Sequence, residues 1–416
     1  MAKMIEKYSF GIGDRFAHQG KAQLEALVQA KQLGVELTPV WNKSFREHTF
    51  VHTHPDTVRT EADAAVKALG WKGAYYVDAD HINLKNVDLF LASSDFYTLD
   101  VADYSGKSAD EAAIRDFMQA HRKFIGKLAL PGIEEPLVIT EAAIESSARK
   151  YLLAIQEAGK IYRYIEEKKG KGNFITEVSI DETDLPQVPL EMLFILSAIA
   201  REGIPAQTIA PKFTGRFNKG CDYVGNVEQF EKEFNADLCV IAFSVKEFGL
   251  PANLKLSVHS GSDKFSIYGP MGRAIRKHDA GLHLKTAGTT WLEELIGLAC
   301  AGGQGLAMAK EVYRNAYGRR EELCAPYAAI IDIDPGKLPT PDAVDQWDGT
   351  KFAETLRHVQ TNPAYNMNFR QLLHVGFKVA ADLGERYYQA VADNEQVIAK
   401  NVCENIFERH IKRVFV

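Results

Sequence analysis

The sequence predicts a (β/α)8 TIM-type barrel followed by a C-terminal helical extension. Eight short apolar segments alternate with helical ones from residue 8 to about residue 300. Such alternation forces parallel pairing, because each return path must cross the sheet. Several of the strands end on residues that can do chemistry, and barrels present their chemistry at strand ends. Beyond about residue 335 the alternation stops and the chain reads as helix. The expected organisation is a barrel over 1–335 with a helical insertion near 105–170, and a helical extension over 336–416 that caps it. An open doubly wound sheet would alternate in the same way. No GxGxxG follows the first strand, however, and GIGDRF at 11–16 is only a partial echo.

The first strand is YSFGIGDRF, 8–16, ending at Asp14 and Arg15. The helix after it has Leu24, Leu27 and Val28 at helical spacing and Gly34 as its stop. The second strand, ELTPVWNKS at 36–44, ends at Asn42 and Lys43. A loop, REHTFVHTH, then leads to a helix near TEADAAVKALG. The third strand, GAYYVDADH at 73–81, ends at Asp78, Asp80 and His81, and the fourth, DFYTLDVADY at 95–104, at Asp100 and Asp103. The insertion follows, with a helix in SADEAAIRDFMQAHRKF, an extended piece LALPGIEEPLVIT and a helix over about 141–168. The fifth strand, NFITEVSIDET at 173–183, carries Glu177, Asp181 and Glu182. The sixth, AQTIAPKFTG at 206–215, carries Lys212, and helix NVEQFEKEF follows it. In the seventh strand Leu254, Leu256 and Val258 alternate with Lys255 and Ser257. That strand runs into His259 and the polar loop Ser260–Lys264. The eighth, AGLHLKTAGTT at 280–290, carries His283 and Lys285. DIDPGKLPTPDAVDQWDG reads as a linker to the C-terminal helices.

The chain has 416 residues, 46% hydrophobic and 25% charged, ample for a large core. A net charge of -6, without a basic tract, argues against a nucleic-acid partner or an anionic membrane surface. No apolar run is long enough to span a membrane, and the N-terminus has no signal-peptide core. The five cysteines are scattered without a CxxC pair, as expected of reduced thiols in a cytoplasmic protein.

His81, His259 and His283 stand at or near the ends of three strands. In a barrel those ends converge, so the three imidazoles are candidates to share a divalent metal such as Zn, Mn, Co, Ni or Fe. Asp80, Glu177 and Asp181 are placed to complete a coordination shell or to transfer protons. His48, His52 and His54 form a second cluster, but on a loop. Lys212 and Lys285 would suit a Schiff base, as in barrel aldolases, or an anionic substrate, and the anion is preferred beside a metal. The loops SGSDK and TAGTT, with Ser260 and Lys264, suit an anion held by backbone N–H groups. In MNFRQLLHV, Arg370 and His374 lie at i and i+4 on one helix face, again suited to an anion.

These motifs resemble the tagaturonate epimerase family, metal-dependent enzymes interconverting tagaturonate and fructuronate. The resembling pieces are FGIGDR at 10–15, VDADH at 77–81, EVSIDET at 177–183, KFTGRFNKGCDY at 212–223, SVHSGSDKFSIY at 257–268, HLKTAGTTWLE at 283–293 and FRQLLHV at 369–375. They keep their order across nearly the whole chain. The resemblance implies Asp80 as proton acceptor, Glu177 as proton donor, and His81 and His259 as metal ligands, with His283 as the third. Asp14, Lys43, Asp181, Lys212, Ser260, Lys264, Lys285, Arg370 and His374 are the expected contacts of a small sugar-acid substrate. There are departures. The family carries a sizeable region before the FGxGDR strand, the segment 269–282 is longer and more basic here, and the NKSFREHTFVHTH loop differs.

The implied reaction inverts a carbinol carbon β to a ketone, whose hydrogen is not acidic. Retro-aldol cleavage of the adjoining C–C bond, rotation of the aldehyde and re-addition would invert it. Transient oxidation is the competing route, and no dinucleotide motif is visible. Two other readings remain at this point. One keeps barrel and metal but acts as a sugar isomerase or class II-type aldolase on another sugar acid or sugar phosphate. The other is a non-catalytic sugar-acid binding protein. Retention of Asp80, Glu177 and the three histidines argues against the latter.

Overall fold

The computed structural model describes residues 2–286 and 289–416, Thr289 by its backbone alone. Its strands are β1 (Tyr8–Gly13), β2 (Thr38–Ser44), β3 (Tyr76–Ile82), β4 (Phe96–Asp100), β5 (Gly126–Leu128), β6 (Leu137–Ile139), β7 (Ile175–Ser179), β8 (Thr208–Ala210), β9 (Lys255–His259) and β10 (Leu282–Lys285). Eight of them close into a barrel in the order β1-β10-β9-β8-β7-β4-β3-β2, every pair parallel. β5 and β6 form a separate antiparallel hairpin inside the insertion. This is the expected (β/α)8 barrel with C-terminal helices.

Register decides which side chains face the interior. Gly11 pairs with Lys285, Lys285 with His259, Asn42 with Asp78, and Thr98 with Glu177, which also pairs with Thr208. Residues level with each other on parallel strands share a face. Lys285 of β10 bonds to Asp78 of β3 and to Glu177 of β7, strands that are not its neighbours. That face is therefore the inside. The interior is apolar at one end, where Ile5, Val40, Tyr76, Phe96 and Ile175 pack together. It is polar at the other, the C-terminal ends of the strands. The larger core lies outside the strands, against the helices.

Some elements differ from expectation. REHTFVHTH is mostly helix, over Phe45–Val51, started by a capping box in which Ser44 and Glu47 satisfy each other's backbone N–H groups. The sixth strand is only Thr208–Ala210, because Pro211 supplies no N–H to a ladder. Helix NVEQFEKEF continues far beyond 234, to Phe248, and ends on the left-handed Gly249. After β10 the chain is helical over Thr289–Ala301 and Gly303–Gly318 before the proline-rich linker is reached. The C-terminal helices pack along the barrel wall, on helices Gly20–Gln32, Phe265–Lys277 and Thr289–Ala301. From there residues 370–374 reach loop 219–221. Among the described residues no helix is long and apolar enough to cross a membrane.

Candidate active site

The polar end of the barrel is organised around one ammonium group. Lys285 Nζ lies 2.7 Å from Asp78 Oδ2, 2.9 Å from Asp80 Oδ1, 2.9 Å from Glu177 Oε1 and 2.6 Å from Thr98 Oγ1. The lysine reaches the axis because β1 carries glycine beside it: a Cβ on Gly11 would stand 2.6 Å from Lys285 Cγ. Burial favours the neutral amine, but three carboxylates outweigh it and hold the ammonium well above its usual range. Burial likewise works against ionisation of Asp80, and Lys285 and His81 hold it far below the carboxylate range. Glu177 is pushed up by burial and pulled well below its usual value by Lys285 and His259. Asp78 shares the same cation yet is raised to about 6, first by burial and then by repulsion from Asp80 and Glu177.

His81 and His259 stand over this cluster, their ring centroids 5.1 Å apart. His81 reaches it through its backbone, with a φ of 53° in the left-handed region and a break in the β3–β4 register between Ala79 and Ile82. Such an irregularity re-aims a side chain at a strand end. His81 Nδ1 is 2.9 Å from Asp80 Oδ1. His259 Nε2 is 2.8 Å from Glu177 Oε1 and its Nδ1 is 3.0 Å from Asp181 Oδ2. Among the described residues, His81, Asp181 and His259 come close enough to share an ion, with ligand atoms all within 4.8 Å of one another.

This donor set fits a divalent metal. Two imidazoles and a carboxylate suit Zn, Mn, Co, Ni or Fe(II). His81 Nε2 is buried without a hydrogen bond, 3.6 Å from Asp181 Oδ1. Burial works against protonation of His259, and Asp181 is the main carboxylate outweighing it, raising the group to about 9. The pocket thus calls for positive charge of the kind a metal supplies in exchange for protons.

The tagaturonate epimerase family model matches residues 2–414. The chain belongs to this family. A tagaturonate/fructuronate epimerase of Thermotoga maritima is 29% identical over 97% of this chain and 80% of its own length. The fructuronate-tagaturonate epimerase of Cohnella laeviribosi has the same fold, with a TM-score of 0.79 and 22% identity over all of this chain and 82% of its own. Its glycerol-bound form matches equally well. The present chain is thus an epimerase, an enzyme of the isomerase class.

The epimerase brings Asp80, Glu177, His81, His259, Asp181 and Lys285 together and leaves other expected residues out. His283, the expected third ligand, lies two residues before Lys285 on the inward face and so one layer deeper. Its Nδ1 is 2.8 Å from Ser9 Oγ, its ring lies beside Phe96 at 5.4 Å, and burial depresses it to about 3. In the metal-capable group Asp181 stands in the place expected for it. Lys43 is turned out of the barrel, because alternation gives the inward places to Asn42 and Ser44; Asp14, Glu47 and Glu61 surround it. Asp14 accepts four backbone N–H groups, from Phe16, Ala17, His18 and Gln19, and so shapes its own loop. Lys212 Nζ donates to the Thr183 carbonyl, and Ser260 Oγ donates to the Lys285 carbonyl at 2.7 Å. Lys264 Nζ is buried against the Cys221 carbonyl and Ser262 Oγ, both at 2.8 Å. Arg370 is buried against Asp263 Oδ2 at 2.8 Å and the carbonyls of Gly220 and Leu356. His374 is buried with Nε2 unpartnered. Ala287 and Gly288 of the TAGTT loop lie outside the described residues. The second histidine cluster is structural at His48, whose Nδ1 is 2.9 Å from Thr53 Oγ1.

Sequence reasoning placed Asp78 and Asn42 at strand ends without giving them a role, and missed Thr98. In VDADH, Asp78 and Asp80 are two apart and share a face, which was signal enough for Asp78. Asn42 is buried at the same level, and neither atom of its amide has a partner.

Proposed function

We propose that this epimerase interconverts tagaturonate and fructuronate by a metal-dependent retro-aldol/aldol sequence. The observation that carries the reading is the Asp80–Lys285–Glu177 bridge, two ionised carboxylates joined through one ammonium at 2.9 Å on each side. His81, Asp181 and His259 would hold a divalent metal, which would supply Lewis-acid charge beside the ketone.

The chain's own groups handle the protons. Asp80 takes the hydroxyl proton at the carbon to be inverted. The bond from that carbon to the carbon α to the ketone breaks, its electron pair passing into the ketone. The hydroxyl carbon becomes an aldehyde, turns its other face and is attacked again by the enediolate. Glu177 delivers a proton to the new alkoxide. Lys285, hydrogen-bonded to both carboxylates, carries the balance from Asp80 to Glu177, and no net oxidation occurs. An epimerase working in both directions needs this symmetry, because each carboxylate must accept in one direction and donate in the other.

The test is an NMR assay of Mn- or Zn-loaded protein with tagaturonate, beside a sample treated with EDTA. Fructuronate should form, stop on chelation and return with metal, and trapping should capture a three-carbon aldehyde acid. Turnover that survives chelation removes the metal from the reading. Hydride scrambling without cleavage removes the retro-aldol step.

A further inference from the structure

We propose that Lys219 is the carboxylate-binding residue of the substrate site, forming with His374 an anion subsite one loop above His259. The inference deepens the keto-hexuronate reading and rests on it. A sugar acid needs one cation for its carboxylate, and the mouth of the barrel offers several. Most are already engaged. Lys285 serves Asp78, Asp80 and Glu177. Lys212 and Lys264 donate to backbone and hydroxyl oxygens of the protein. Arg370 is spent on Asp263 and two carbonyls. Arg46 faces Glu182 at 3.4 Å, and Lys378 lies over the Phe50 ring at 3.8 Å.

Lys219 lies against the loop that follows His259. Its backbone is pinned on both sides: its N–H donates to the Ile330 carbonyl at 2.8 Å, and its carbonyl accepts from Gln371 Nε2 at 3.0 Å. Its ammonium makes no hydrogen bond or ion pair among the described residues. It lies over Gly261, where a Cβ would stand 3.8 Å from Nζ, and 5.6 Å from the centre of the Tyr327 ring. Gly261 is two residues past His259, so the ammonium lies against the loop that leaves the metal-capable group. Beside it, the Gly220 backbone packs on His374, where a Cβ would stand 3.1 Å from His374 Cβ. The Nε2 of that histidine is the second unpartnered polar group, on a side chain only 1% exposed. Burial and the charges of Arg15, Lys219 and Arg370 hold the imidazole neutral. Burial depresses Lys219 as well. An incoming carboxylate would relieve both.

The subsite also answers a need of the chemistry. Retro-aldol cleavage of a keto-hexuronate leaves the carboxylate on the aldehyde half, the half that must turn over without escaping. A lysine holding the carboxylate retains that fragment while its aldehyde rotates.

The probe is D-galactonate, a hexonate that has the carboxylate and lacks the ketone. Calorimetry should show it binding the wild type, about 10- to 100-fold more weakly to Lys219→Met, and within about fivefold of wild type to Lys219→Arg, with melting temperatures unchanged. Losing a charge-assisted hydrogen bond produces an effect of that size. On tagaturonate, Lys219→Met should raise KM more than it lowers kcat. Equal galactonate binding by wild type and Lys219→Met overturns the inference, as does an equal loss in Lys219→Arg or a loss that tracks a fall in melting temperature. Lys219-dependent galactonate binding by a protein that does not turn over tagaturonate upholds the subsite and discards the substrate.

Discussion

At the scale of single residues, the site is a problem of charge. Lys285 lies among three carboxylates, almost wholly buried. Removing one partner of a buried ion pair costs roughly 3–5 kcal/mol, because the charges left behind have no compensation. Lys285→Met should therefore lower the melting temperature clearly and cut turnover at least about 100-fold, the scale of general acid–base catalysis. A variant that melts like wild type would show that Asp78, Asp80 and Glu177 do not depend on this ammonium. The ligand assignment has its own test in a pair of variants. Asp181→Asn should weaken Mn2+ binding by at least about 10-fold, the range expected when a metal site loses a supporting group. His283→Gln should leave Mn2+ affinity within about threefold while lowering thermal stability. Equal losses of metal affinity in the two variants would return His283 to the ligand set.

At the scale of elements, the strands explain both what the sequence revealed and what it concealed. Strand ends were readable because apolar alternation stops on charged residues, as at VDADH and SVHSG. Which of two neighbours points inward was not, because that depends on register with the adjoining strand. Asn42 and Lys43 show the difference: the charged residue drew attention, yet pairing with Asp78 puts the amide inside. His283 and Lys285 share a face but differ in depth, which depends on the tilt of the strands around the barrel. His81 joins the cluster for a reason no sequence pattern shows, its left-handed backbone. β9 offers a prediction at this scale, since Lys255, Ser257 and His259 all face inward along it. Lys255 lies near the apolar end, donates to the Glu6 carbonyl and is lowered by burial to about 7. The unfolded chain therefore binds more protons than the folded one between about pH 7 and the ordinary lysine value, and stability from this group rises with pH across that window. The slope is at most about 1.4 kcal/mol per pH unit. Denaturant melts at pH 7 and 9 should show wild type gaining stability relative to Lys255→Met. Parallel curves would mean that Lys255 keeps its proton in the fold.

At the scale of the whole molecule, one buried node ties the C-terminal extension to the active-site loop. Asp263, four residues past His259, is met by Arg370 at 2.8 Å, His358 at 3.2 Å and His410 at 3.3 Å. All four side chains are fully buried, and the Phe265 ring stacks on His358 at 5.0 Å. Burial would raise Asp263, but Arg370 and the two histidines hold it well below the carboxylate range. Sequence alone placed Arg370 and His374 together as an anion site, because i and i+4 share a helix face. Arg370 is instead committed to Asp263, while His374 packs beside Gly220 and the Lys219 loop. Asp263 lies more than a hundred residues away in the chain, and no local pattern links the two. The extension therefore does more than cover the barrel: it fixes the loop that follows His259. Arg370→Met should lower stability by roughly 3–5 kcal/mol through the stranded carboxylate, and should loosen residues 260–264. The double variant Arg370→Met with Asp263→Asn removes the stranded charge and should recover part of the stability. It should not recover turnover, because the loop still lacks its tether. Hydrogen exchange over 256–268, read beside turnover, decides the matter. A double variant that regains full activity would show that the node serves folding alone and that the loop after His259 holds its shape without the C-terminal helices.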